Sequence, residues 1–191
     1  RWSSVFKIPG PDGKGMWRTL LPIMPGETDE EVTTDAWVHA RFAEILPYAK
    51  DTPIVHKNLY IVHQRVAERF RKGRVFLAGD SAHINNPLGG MGMNSGIQDG
   101  VNLARKIIKV TRGEAEDAVF DQYDRQRRPL AQKYVQAQSI QNKETLQAKD
   151  PEAANKRFEE LRKTAEDPVR HKAFLMNSSL IAMWRESEAI T

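Results

Sequence analysis

The sequence predicts a mixed α+β / α/β chain: an antiparallel sheet first, then a strand–loop–helix unit, then helices to the end. Three observations predict it. Two β-favouring runs, Trp2 to Ile8 and Met16 to Ile23, flank the turn-rich Pro9-Gly10-Pro11-Asp12-Gly13-Lys14-Gly15, the pattern of a hairpin. At Gly73 the texture changes to Arg74-Val75-Phe76-Leu77-Ala78, a nearly continuous apolar run suited to a strand buried on both faces. Beyond it Ile97, Val101, Ala104 and Ile108 recur at spacings of four, three and four, a one-sided helical stripe that stops near Gly113.

The other elements follow by the same reasoning. Thr28 to Leu46 opens with acids and is poor in breakers, which suits a helix whose first turn welcomes negative charge. Ile54 to Val62 reads as a further strand of the first sheet. Val119, Phe120 and Tyr123 belong to an amphipathic helix that Pro129 should kink or interrupt. Asp150-Pro151 and Asp167-Pro168 each place an N-cap acid before a proline at the first helical position, where the missing N–H costs nothing. Phe158, Leu161 and Ala165, then Phe174, Leu175, Ser178 and Ile181, are expected to supply the buried faces of those two helices.

Composition narrows the function classes. The chain has 191 residues, 40% hydrophobic and 28% charged, enough for a real core. It has no cysteine, which excludes a disulfide framework, a thiolate metal site and a cysteine nucleophile. The net charge of +4 is thin and interleaved with acids, and the densest basic run, Arg125-Gln126-Arg127-Arg128, follows Asp121 and Asp124 on a helical pattern. A paired helix face is therefore expected there, with no nucleic-acid partner. No run approaches the length of a membrane span and no signal peptide opens the chain, so no membrane partner is expected and a cytoplasmic location is. His39, His56, His63, His83 and His171 lack any metal-ligand spacing.

The segment that carries chemistry runs from Gly79 to Gly96. Asp80 stands at the carboxyl end of the expected buried strand, where open α/β sheets place ligands, and offers a carboxylate to the hydroxyls of a polyol or ribose. Gly89, Gly90, Gly92 and Gly96 follow within eight residues and let backbone approach a ligand closely. The start of the next helix leaves N–H groups near Gly92, Met93 and Asn94 free to meet an acceptor. Met91 is read as core filling. A cap or turn acid is the alternative for Asp80, and plain core the alternative to substrate contact for Trp2, Phe6, Trp17 and Tyr60.

With Arg74-Val75-Phe76-Leu77-Ala78-Gly79-Asp80-Ser81-Ala82-His83, then Pro87, Gly89-Gly90, Gly92-Met93-Asn94 and Gly96-Ile97-Gln98-Asp99-Gly100, the segment resembles the second flavin-binding motif of the FAD-dependent aromatic-ring monooxygenases of the p-hydroxybenzoate hydroxylase-like family. Asn102-Leu103-Ala104, Tyr123 and Arg127-Arg128-Pro129 extend the match, which is close over roughly Gly73 to Pro129 and looser before it. The resemblance implies FAD as cofactor, NAD(P)H as transient reductant, and O2 and a small aromatic, phenolic substrate as reactants. It implies that Asp80 binds a hydroxyl of the ribityl chain, that Pro87 lines the ring face, that the backbone at Gly92, Met93 and Asn94 donates to the pyrimidine edge, and that Gly79, Gly89 and Gly90 belong to the same cofactor site. It divides the chain into part of a substrate-binding sheet domain at 1–72, the last strand and helix of a Rossmann-like FAD-binding domain at 73–113, and a helical region at 114–191. Ser81, Asn86, Met91 and Arg105 depart from the residues common in the family without touching these contacts.

The family opens with a strand and Gly-x-Gly-x-x-Gly for the ADP half of FAD. Here Gly13-Lys14-Gly15 is followed by Arg18 in the third slot, and Gly90-Met91-Gly92 by Ser95, so neither is that motif. The expectation is that this chain is the C-terminal half of a longer enzyme, with the N-terminal half as its necessary partner and weak FAD binding without it. An uncovered docking face would also favour a homodimer. Three alternatives stand beside the monooxygenase: another flavin-dependent oxidoreductase such as a halogenase, epoxidase or reductase; a noncatalytic fragment; and a hydrolase using Ser81 beside His83, for which the glycine of a nucleophile elbow is missing at 83.

Overall fold

The computed structural model describes residues 3–11, 13–87, 89–137, 139–140 and 151–191. They form two compact units, Arg1–Ile61 and Val62–Thr191. Trp2, Asp12, Leu88 and the N-cap at Asp150 lie outside the described residues.

In the first unit β1 (Ser4–Ile8) and β2 (Met16–Leu20) form the expected antiparallel hairpin, with Phe6 opposite Arg18 and Lys7 opposite Trp17. Gly13 and Gly15 take positive φ in its connection, so Gly13-Lys14-Gly15 is a hairpin turn. Opposed residues share a sheet face, which puts Phe6 and Trp17 on opposite faces, 52% and 66% exposed. Neither is core within this unit, and the two do not line one pocket wall.

The single helix expected over Thr28 to Leu46 is two helices, α1 (Asp29–Val32) and α2 (Asp35–Ile45). Thr28 and Thr34 each cap one, their hydroxyls accepting from the Glu31 and Trp37 N–H groups. Threonine competes well for such N–H groups, and a second capping threonine restarts the helix. Ile54 to Val62 is not a strand; it runs without regular structure to β3 (Arg65–Val66). Its β propensity found no neighbouring strand to pair with, and propensity alone does not make a sheet.

The second unit carries two short antiparallel ladders. β3 pairs with β6 (His83–Ile84), and β4 (Arg71–Lys72) pairs with β5 (Val75–Phe76) across a turn at Gly73. The run at 74–78 therefore does not form the strand buried on both faces that its composition suggested: Val75 is exposed and only two residues pair. A one-turn 3₁₀ helix at Gly79–Ser81 leads to β6 and then to α3 (Met91–Thr111), which ends before Gly113 as expected.

α3 presents to the core the face opposite to the one its pattern suggested. Ile97, Val101 and Ile108 are 58%, 40% and 47% exposed, whereas Met91, Ser95, Asp99, Asn102 and Lys106 are buried. Against this mainly polar face lie α4 (Val119–Leu130), entered by buried Phe120 and Tyr123, and a π-helical continuation, Ala131–Gln136. Pro129 removes one N–H from the ladder, and the widened turn follows it directly, the interruption expected at that residue.

The chain ends in α5 (Pro151–Glu166), α6 (Pro168–Ser178) and α7 (Ile181–Ala189). Asp167 caps α6 as expected, its Oδ1 accepting from Val169 N–H at 2.8 Å and Arg170 N–H at 3.1 Å. Asp167→Ala should cost about 1 kcal/mol of local stability, seen as faster amide exchange in the first turn of α6 with the α3 amides unchanged. Phe158, Leu161, Ala165, Phe174, Leu175, Ser178 and Ile181 are exposed, so the buried faces expected for these helices are absent. Their periodicity marks a face without naming what covers it. The core instead joins Phe70, Ala82, Met91, Tyr123, Leu130, Ala131, Val135, Leu180 and Met183.

Candidate functional site

The site is assembled where the Gly79 turn meets α3. Gly79 has φ +59° and lies against Gly96: a Cβ on Gly96 would come 3.1 Å from the Gly79 Cα. The close approach favours glycine at 96, and the positive φ favours it at 79. Gly92 is four residues nearer the start of α3, about 6 Å of helical rise, so the turn and the helix N-terminus are near neighbours.

Asp80 follows Gly79 in the turn. Its carboxylate is exposed and makes no hydrogen bond or ion pair among the described residues. The reading of Asp80 as a cap or turn acid therefore fails, because Ser81 does that work: its hydroxyl donates to Ala78 O at 2.8 Å and accepts from Ala78 N–H at 3.1 Å.

Pro87, Gly89 and Gly90 form an exposed loop into α3, both glycines at positive φ (99° and 67°). No side chain caps α3. Helical geometry leaves the N–H groups of Met91, Gly92 and Met93 without intrahelical acceptors, and partial positive charge gathers there. Asn94 Nδ2 donates to Gly90 O at 2.9 Å and so braces the glycine pair. The Met93 side chain is exposed, whereas Met91 is buried in the core, as read from the sequence. Asp80, Pro87, Gly89, Gly90, Met93 and Asn94 are thus exposed, and the Gly79–Gly96 contact sets the Asp80 turn against α3.

Beneath this surface lies a fully buried polar cluster that the sequence reading left unassembled. Asp99 Oδ1 accepts from Arg127 Nε at 2.7 Å, and its Oδ2 lies 2.7 Å from His83 Nε2 and accepts from Gly79 N–H at 3.1 Å. Burial alone would raise the Asp99 pKa, but the His83 hydrogen bond and the charge and hydrogen bond of Arg127 outweigh it and hold the carboxyl below its usual value. One turn before Arg127, the Tyr123 hydroxyl donates to Leu77 O at 2.7 Å. Burial, with the Asp99 charge, pushes that phenol well up.

His83 thus belongs to the scaffold, and Ser81 and His83 have separate partners, so the Ser81–His83 pair that a hydrolase would need is not formed. One signal could have located the cluster. Phe120, Tyr123, Arg127 and Leu130 follow helical spacing, which puts Arg127 on the apolar face, and a cation there needs a buried acid. No group of three or more His, Asp or Glu able to hold a metal occurs among the described residues, and no described helix is long and apolar enough to cross a membrane.

Comparison with known proteins finds a family and several relatives. The family described as FAD binding domain matches residues 13–138. The chain is 39% identical over 129 residues to a 3-(3-hydroxy-phenyl)propionate/3-hydroxycinnamic acid hydroxylase of Mycolicibacterium vanbaalenii, covering 68% of this chain and 23% of that protein. It is 35% identical over 154 residues to para-nitrophenol 4-monooxygenase of Pseudomonas sp. strain WBC-3, covering 78% and 37%. Among solved structures, p-nitrophenol 4-monooxygenase PnpA from Pseudomonas putida DLL-E4 superposes with a TM-score of 0.74 at 32% identity, covering 87% of this chain and 42% of that one. The chain spans less than half the length of each of these relatives, and the solved structure has mixed helix and strand content like its own.

Proposed function

The chain belongs to the FAD-binding-domain family, and from that premise we propose that residues 79–94 hold the flavin and ribityl portion of FAD in a monooxygenase of phenolic substrates. The observation that carries this is the exposed, unpartnered Asp80 carboxylate beside an uncapped helix N-terminus reached through two positive-φ glycines. The residues fit the cofactor. A carboxylate accepts from polyol hydroxyls, and an unobstructed N-terminus suits a ring edge that gains negative charge on reduction. A Cβ at Gly90 would meet nothing within 4 Å, so the approach is open.

FAD, when bound, supplies the two-electron chemistry between NAD(P)H and O2 that places one oxygen atom on the aromatic ring. The chain's own residues bind and orient. Gly79 and Asp80 take the ribityl chain, Pro87 lies along the ring face, and Gly89, Gly90, Gly92, Met93 and Asn94 border the pyrimidine edge. The α3 N-terminus holds the electron-rich ring without a charged side chain to titrate.

Residues 1–72 are assigned to a substrate-binding sheet domain, 73–113 to the end of a Rossmann-like FAD domain and 114–191 to a helical region. The ADP half of FAD is assigned to a nucleotide-binding segment outside these 191 residues. Its docking face is the exposed stripe of Ile97, Val101 and Ile108, apolar in a way that solvent does not reward.

Asp80→Ala tests the reading. In the polypeptide that includes the nucleotide-binding segment, FAD affinity measured by quenching of flavin fluorescence should fall about ten- to a hundredfold, the worth of a charged hydrogen bond. The melting temperature without FAD should stay unchanged, because Asp80 has no partner to lose. Stoichiometric FAD retention by the variant would end the proposal.

A further inference from the structure

We propose that Asp99 is a positioning residue for the flavin site, setting the Gly79–Asp80 turn in fixed relation to the N-terminal turns of α3. This rests on the flavin-site reading above and extends it to a residue that touches neither ring nor ribityl chain. One carboxylate performs three tasks at once. Its Oδ2 takes the Gly79 N–H at 3.1 Å, the backbone amide immediately before Asp80. The same oxygen is held by His83 at 2.7 Å, and Oδ1 by Arg127 at 2.7 Å, so the acceptor cannot swing away from the turn.

The carboxylate belongs to α3 itself, two turns from its start, and therefore couples turn to helix directly. From the other side α4 closes the clamp. Arg127 Nη2 reaches Gln98 Oε1 at 3.3 Å on α3, and Tyr123, four residues earlier on the same face, holds Leu77 O two residues before Gly79. Both α4 side chains are fully buried. The turn is thereby tied at Leu77 and at Gly79 and pressed onto Gly96, leaving the Asp80 side chain as its free end.

Such an arrangement has a functional consequence apart from stability. A carboxylate and a helix N-terminus that bind one rigid ligand at two points lose affinity when their separation fluctuates, because binding must then order them.

The test is a double-mutant cycle between Asp99→Asn and Asp80→Ala in the polypeptide with its nucleotide-binding segment. FAD affinity is followed by flavin fluorescence, and Gly79 and Phe70 amide exchange by NMR without FAD. Asp99→Asn is expected to weaken FAD about tenfold, to speed Gly79 exchange far more than Phe70 exchange, and to add little further loss once Asp80 is alanine. Full additivity of the two losses, or an unaltered Gly79 exchange rate, overturns the proposal. Normal FAD binding by Asp80→Ala alone overturns instead the flavin-site reading beneath it. Should Asp99→Asn fail to fold, Tyr123→Phe, which frees Leu77 O, runs the same cycle with the same expected non-additivity.

Discussion

Arg127→Met is expected to destabilise the chain by about 3–5 kcal/mol, the usual cost of removing one member of a buried ion pair. Arg127 and Asp99 are both fully buried, and among the described residues Arg127 is the hydrogen-bond donor to Asp99 Oδ1. Methionine fills similar space, so the loss reports the stranded carboxylate and not a cavity. Asp99 would then tend to protonate, surrendering part of its hold on Gly79.

The pair also sets acid sensitivity. The Asp99 carboxyl is held below its ordinary 3.8 in the fold, so the unfolded chain takes up a proton first as pH falls. Its stabilisation is present above about 4 and is lost as pH drops through the depressed native value. Urea unfolding at neutral pH and at about pH 3 should show the large Arg127→Met loss at neutral pH and a smaller difference between variant and parent chain at the lower pH, where the parent has begun to lose the Asp99 contribution. Converting both partners, Asp99→Leu with Arg127→Met, should recover much of the stability, since an apolar pair strands no charge. A single-variant cost below about 1 kcal/mol would mean that the pair is solvated in solution.

Legibility from sequence divides along one physical line. Features written in local chemistry were readable: the hairpin between Ile8 and Met16, the Asp167 cap, the end of α3 before Gly113, the break after Pro129, and the run of glycines that opens α3. Each depends on a few neighbouring residues and their own backbone. Features that depend on what lies opposite were not. The spacing of Ile97, Val101 and Ile108 announces an amphipathic helix, but periodicity does not tell which face a chain covers, and the polar face was the one buried. Val75 and Phe76 look like a central strand because β propensity describes a half-buried surface rather than a partner.

The candidate site divides in the same way. Asp80, Gly90 and Gly92 fall in one short stretch with a recognisable pattern. Asp99, Arg127, Tyr123 and His83 come from α3, α4 and β6, and only the fold brings them together.

Raising the pH from about 8 to 10 is expected to stabilise the chain, and Lys106 is the reason. The residue is 7% exposed, and its ammonium donates to Asn102 Oδ1 at 2.8 Å and Gln126 Oε1 at 2.7 Å, two neutral acceptors. Burial is the largest influence and lowers its pKa from 10.5 to about 8, against a partial offset from Glu188. Between those values the unfolded chain holds the proton and the native chain does not, so native stability rises with pH across this window. At about 1.4 kcal/mol per pH unit the gain has an upper bound of about 3 kcal/mol.

Tyr123 works in the opposite sense only at higher pH. Its raised native pKa keeps the proton on in the fold after the unfolded phenol has lost it near 10, and stability then declines. Lys106→Met isolates the contribution. Gln126 Oε1 keeps Asn102 Nδ2 as a donor at 2.9 Å, so the variant strands little at neutral pH. Its urea midpoints at pH 8, 9 and 10 should rise less than those of the parent chain, and parallel curves would show that the amine is solvated. Gln126 also donates to Ile190 O at 2.6 Å, just beyond α7. Amide exchange in α7 should therefore slow between pH 8 and 10, after correction for intrinsic rates, in the parent chain and not in Lys106→Met, wherever the opening of α7 exposes Lys106 and its neutral amine must take up a proton.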